Sequence, residues 1–177
     1  MANQSQTQAL SFSQAIATTQ TLMEKISANQ LSEAEIQRQI SSILSTKNGG
    51  RGFFASYLTS ELTLADNPST GVIDGLRSTS QVTSELLVKN LAMSSAMAVV
   101  HARHGDRNNF EGSQKVGRRT KCLIQKIAMK AVEEEIQKLQ HSVKTGEGEY
   151  TNFLKRWSYD REQKQAIQEA ISDALAL

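Results

Sequence analysis

The chain has 177 residues, 38% hydrophobic, 5% aromatic and 21% charged, with a net charge of +2 from 20 basic and 18 acidic side chains. Its length suits one domain, and its apolar share is enough for one core, which excludes a mainly disordered chain. A single Pro among plentiful Ala, Leu, Gln, Glu and Lys tells against an all-β sandwich or barrel, and a lone Cys122 excludes a disulfide-stapled fold.

Residues 1–10 form a polar, Gln-rich segment expected to be flexible, and 11–177 are expected to make one all-α domain. No charged side chain precedes Glu24 and no apolar run opens the chain, so a secretory signal is not expected. From Ser11, the residues Phe12, Ile16, Leu22, Met23 and Ile26 recur at helical spacing to about Asn29. Ser32 with Glu35 has the capping-box pattern, and Ile36, Ile40, Ile43 and Leu44 form the stripe behind it. The run from Lys47 to Gly52, rich in Gly, predicts the end of that helix and a tight turn. Phe53, Phe54, Tyr57, Leu58 and Leu62 predict a short helix, and Asp66 to Gly71 is the clearest loop.

A helical turn is expected around Val72 to Leu76. A long helix capped by Ser80 then runs to about His104. Gly105-Asp106 breaks the chain, after which Asp106 to Val143 is helix-compatible with a bend at Gly112 or Gly117. Lys144 to Gly148 reads as a loop, Glu149 to Arg156 as a short helix, and Asp160 as the cap of a final helix. The expected architecture is a single-domain, bundle-like packing of six to eight helices.

The long helix carries two apolar stripes. One holds Val82, Leu86, Met93, Met97 and Val100; the other, about 120° round the wheel, holds Leu87, Leu91 and Ala98. Between them runs a polar seam of Thr83, Asn90, Ser94 and His101, while Glu85, Lys89 and Arg103 are expected in solvent. The seam reads either as hydrogen bonding that sets helix register or an oligomer contact, or as a small-ligand pocket around Asn90 and His101. Gly50, Arg51 and Gly52 offer an anion-binding helix start, although the preceding strand and Gly-Lys-Ser/Thr ending of a phosphate loop are missing. His101 and His104, with Asp106 nearby, lack the spacing of known metal motifs. Glu-x-x-His does not occur, so neither metal nor cofactor is expected.

Charge is unevenly spread. From His101 to Lys130 there are eight basic and two acidic residues, so this segment is +6 and the remainder −4. Lys115, Arg119, Lys126 and Lys130 fall within about 60° on a helical wheel, a stripe that could track a phosphate backbone. It lacks interleaved aromatics and reads first as a solvated face, one that can be set against Glu133-Glu134-Glu135 of another copy. Tyr150, Phe153, Trp157 and Tyr159 cluster beside Lys155, Arg156 and Arg161, a composition common at interfaces but expected here to dock the last helix. Cys122 lies mid-helix near the apolar stripe, where a thiol is an inert small hydrophobe, and no catalytic set is recognisable.

The most apolar stretch, Leu86 to Val100, contains Lys89, Asn90, Ser94 and Ser95. It falls short of the roughly 20 apolar residues of a membrane span, so a soluble, cytoplasmic chain without a membrane partner is expected. The functional expectation is a non-catalytic interaction or binding module that self-associates or meets a protein partner. A nucleic-acid-associated protein using the basic stripe, or a small-ligand sensor using the seam, are the alternatives.

Overall fold

In a computed structural model, residues 10–176 are described. They form nine α-helices and a 3₁₀ turn: α1 (Phe12–Ser27), α2 (Glu33–Ile43), α3 (Lys47–Thr59), the turn (Thr63–Ala65), α4 (Thr70–Ser78), α5 (Ser80–Arg103), α6 (Arg107–Ile127), α7 (Lys130–Thr145), α8 (Thr151–Arg156) and α9 (Arg161–Leu175). The fold is the expected all-α bundle, with one helix more than the upper expected count. The flexible segment expected over 1–10 lies outside the described residues except for Leu10, which packs against the core.

Local signals explain most helix ends. Ser11 with Gln14, Ser32 with Glu35, and Asp160 with Gln163 all close capping boxes, each satisfying backbone N–H groups left open at a helix start. Two starts differ from expectation. Helix α5 begins at Ser80 with Thr79 before it and no side-chain cap. The run expected to end α2 instead opens α3, because α2 already stops at Ile43 and the Thr46 hydroxyl accepts from Gly49 N at 3.0 Å.

The glycines of α3 serve packing. A Cβ at Gly52 would lie 2.5 Å from Ala15 Cβ and 2.9 Å from the Phe12 carbonyl oxygen, so α1 and α3 meet backbone to backbone there. A Cβ at Gly50 would lie 2.7 Å from the tips of both Leu86 and Val82 on α5. Each helical glycine costs about 1 kcal/mol relative to alanine, which the close approach of neighbouring helices offsets.

Helix α5 is the centre of the body, touching α3, α4, α6, α7 and α9. Its buried residues, from Thr83 to Ala96, occupy most of its circumference. Helix α6 folds back along it after Gly105 and runs without interruption through Gly112 and Gly117. The expected bend falls further on, at Ala128, which takes a left-handed conformation (φ 45°). Arg77 holds that break in place: its Nε donates to the Ile127 carbonyl at 3.0 Å and its Nη2 to that of Lys126 at 3.3 Å. These are the carbonyls that a helix end leaves without intrahelical partners.

At the other end of the hairpin, Arg103 bridges to α9. Its guanidinium bonds Asp160 at 2.5 Å and also pairs with Glu162. Bonding to Arg103 comes first, and the N–H of Gln163 second, in lowering the Asp160 carboxyl to about 2 from its ordinary 3.8.

Two outcomes follow. Gly52→Ala lowers stability by about 1–3 kcal/mol, because α1 backbone must move, whereas Gly112→Ala, with open space around it, raises stability by about 0.5–1 kcal/mol; urea denaturation of both variants measures the contrast. Asp160 has a depressed folded pKa, so its contribution is complete above pH 3.8 and is lost as pH falls toward about 2. NMR titration of the Asp160 carboxyl gives a midpoint near 2 that moves up in Arg103→Ala; an unmoved midpoint would contradict the pairing.

Candidate functional site

The side of α5 that its neighbours do not close is Glu85, Lys89, Asn90 and Met93, all half-buried. Spacing by four places Glu85, Lys89 and Met93 in line, and they form one wall of an open groove of about 830 Å³. Facing them, Lys47, Arg51 and Ala55 come from one stripe of α3, again spaced by four, and Phe12 comes from the start of α1. The other side is made by Glu135 and Lys138 of α7 with Tyr150, Phe153, Arg156 and Trp157 from α8 and its ends.

The floor is apolar and firmly held. Leu86 and Tyr150 are buried, and Tyr150 meets Phe153 edge-on at 6.1 Å. The Lys89 ammonium lies 5.9 Å from both ring centroids, within range of a cation–π attraction. The Tyr150 hydroxyl donates to Glu135 Oε2 at 2.6 Å, and burial first, then that carboxylate, push its ionisation above the ordinary tyrosine range.

Charges along the walls are mostly matched. Glu85 pairs with Lys89 and, at 3.4 Å, with Lys47, and the Lys89 bond holds its carboxyl below the usual range. Lys138 reaches Glu135 at 2.8 Å and Glu149 at 3.1 Å. Two rim aromatics stay in water: Trp157 is 47% exposed and Phe12 39%. Arg51 lies over the Phe12 ring at 5.4 Å.

Residues 11–174 match the model of a family described as Uncharacterised conserved protein UCP020893. Every groove residue from Phe12 to Trp157 lies within that match. Neither the curated proteins nor the solved structures contain a match to this chain.

The polar seam of α5 does not line one cavity. Thr83 is fully buried and donates to the Leu76 carbonyl at 2.9 Å; Ser94 donates to Leu91 and packs beside Gly117 of α6. Asn90 bonds the Leu86 carbonyl at 2.8 Å and alone of the four reaches the groove. His101 sits near Asp106, 3.8 Å away, and is about 16 Å along the axis from Asn90 at 1.5 Å per residue. These hydroxyls and amide are satisfied mainly by nearby carbonyls, so the seam is not a shared pocket. Glu85 and Lys89, expected in solvent, are half-buried groove residues instead.

Gly50, Arg51 and Gly52, expected as an anion-binding helix start, lie inside α3, which begins at Lys47. Gly50 N donates to the Thr46 carbonyl at 2.9 Å, and both glycines are buried inside α3, so neither presents an N–H to a ligand. Arg51 does reach the groove, through its side chain. Among the described residues, no three His, Cys, Asp or Glu side chains gather as a metal site. No described helix is long and apolar enough to cross a membrane.

The basic stripe is broken by pairing. Arg119 is only 4% exposed. It bonds Asp66 through Nε (2.9 Å) and Nη2 (2.6 Å), and donates to the carbonyls of Leu58, Ser60 and Leu62. This ties the end of α3 and the following turn to α6, and it holds the Asp66 carboxyl below the usual range. Lys115 pairs with Glu61 at 2.7 Å. Lys126 and Lys130 are exposed, but the Ala128 break puts them on different helices, and Lys130 pairs with Glu134. Four cations on one ideal wheel therefore do not form one surface.

The groove itself was not anticipated from the sequence. The signal that came nearest is the aromatic cluster from Tyr150 to Tyr159: Tyr150, Leu154 and Tyr159 dock into the core, while Trp157 does not.

Arg119→Ala should destabilise the fold by about 3 kcal/mol, since it strands three carbonyls and removes a buried charge partner. Asp66→Asn should cost less, about 1–2 kcal/mol, because the buried Arg119 guanidinium loses its counter-charge but keeps the carbonyls of Leu58, Ser60 and Leu62. Equal losses in urea denaturation would contradict this assignment.

Proposed function

We propose that this chain, which belongs to the family of that description, works without catalysis as a protein-interaction module and seats its partner in the α1–α3–α5–α7–α8 groove. The observation that carries the reading is the pair of exposed aromatics, Phe12 and Trp157, on the rim of a groove whose other aromatic side chains are buried or half-buried. Trp and Arg are the residue types that most often dominate binding energy when water is removed from them. The mixture of both charge signs and apolar floor supports a polypeptide, whose backbone amides and varied side chains can answer both.

Self-association is a second reading. It is favoured by the far end of α5, where Met97, Val99 and Val100 stay half-exposed. Here a second copy is the partner, and the contact is isologous.

Trp157 is the sole tryptophan, so its emission reports on the rim directly. Peptides selected from an unbiased displayed library should shift that emission to shorter wavelength. Because the residue is exposed, Phe12→Ala should change stability by no more than about 0.5 kcal/mol yet weaken those peptides at least about tenfold. Selected peptides that leave Trp157 emission unmoved would sink the groove. A blue shift that grows with protein concentration alone, with a dimer in sedimentation, would instead favour self-association.

A further inference from the structure

The groove's charges allow its partner to be specified further, on the reading that it docks a polypeptide. Every carboxylate on its walls is already engaged: Glu85 by Lys47 and Lys89, Glu135 and Glu149 by Lys138. Two cations are not. Among the described residues, neither Arg51 nor Arg156 has a carboxylate within ion-pair distance, and both are exposed. Each also adjoins a rim aromatic, Arg51 over the Phe12 ring and Arg156 next in the chain to Trp157.

We infer that the groove takes an acidic protein segment, whose carboxylates pair with Arg51 and Arg156 while its apolar side chains cover Phe12 and Trp157. A guanidinium stacked on a ring keeps its N–H edge free, and that edge matches a carboxylate with two parallel hydrogen bonds. The complementarity sets sign and spacing, while the aromatics supply most of the desolvation.

A nucleic acid fits less well. Glu85, Glu135 and Glu149 line the same groove and repel a phosphate backbone, which needs a row of uncompensated cations. Elsewhere, Lys115, Arg119 and Lys121 on α6 are paired with Glu61, Asp66 and Asp173. A peptide finds additional polar partners in the exposed side chains of Gln81 and Asn152.

The test compares the full chain with an Arg51→Glu/Arg156→Glu variant, in which both changes are at exposed positions and leave the core intact. Displayed random peptides are selected on each, and the enriched ones are titrated against Trp157 emission. The wild-type chain should enrich segments with excess Asp and Glu around an aromatic or aliphatic residue. The variant should bind them at least about tenfold more weakly, the effect of losing charge-assisted hydrogen bonds, and should itself select Lys- or Arg-rich peptides.

Peptides that shift Trp157 but are neutral or basic, or that bind both proteins equally, would overturn the acidic partner while leaving the docking groove standing. Peptides that leave Trp157 unmoved would overturn both. Oligouridylate that shifts Trp157 at 0.15 M salt more tightly than any selected peptide would replace the acidic segment with a nucleic acid.

Discussion

Helix α5 must be covered nearly all the way round, and the other helices are arranged by that demand. Buried residues from Thr83 to Ala96 point to α3, α4, α6, α7 and α9, so these five helices converge on one axis. Coverage fails along the strip of Glu85 and Lys89, which carry charges that would be expensive to desolvate without partners. The groove is that strip. The same feature that makes α5 a core helix leaves a partly charged, partly apolar channel where α1, α3, α7 and α8 approach it without closing.

Close packing round a single helix leaves little room for Cβ atoms, and this chain meets the problem with glycine. Gly52 lets α3 lie against the α1 backbone at Ala15, and this contact brings Phe12 to the groove rim beside Arg51. Across the body, Gly75 allows α4 to approach Ile40 of α2, whose Glu33 accepts from Ser69 Oγ at 2.8 Å and from the Gly71 N–H. Helix ends with open carbonyls are closed from a distance by arginine: Arg119 for α3 and its turn, Arg77 for α6. Much of the chain's basic charge is thus structural. Within the +6 segment, Arg103, Lys115, Arg119 and Lys121 pair with Asp160 and Glu162, Glu61, Asp66 and Asp173, acids that lie well away from it in the chain.

What remains unpaired acquires meaning from that background. Arg51 and Arg156 are exposed in a groove where the other charges have partners; Arg51 lies over the exposed Phe12 ring, and Arg156 precedes the exposed Trp157 in the chain. An unpaired arginine on an open convex surface says little. Beside a rim aromatic in a groove, it has the composition of an interface core.

The helical class, the capping box at Ser32, the cap at Asp160, the long helix from Ser80 and the break at Gly105 were legible in the residues alone, because caps and 3.6-residue periodicity are properties of neighbours in sequence. Gly50 and Gly52 misled because glycine ends a helix in isolation but also lets one helix touch another, and only the presence of Ala15, Val82 and Leu86 decides which. The basic stripe misled for a similar reason: a helical wheel cannot show that Arg119 faces Asp66, 53 residues earlier. Nor could any pattern place Phe12 and Trp157 in one groove, since that groove is assembled from helices far apart in the chain. Local backbone chemistry determined which segments are helices; the packing of those helices around α5 decided which charges are buried, which are paired and which still face water.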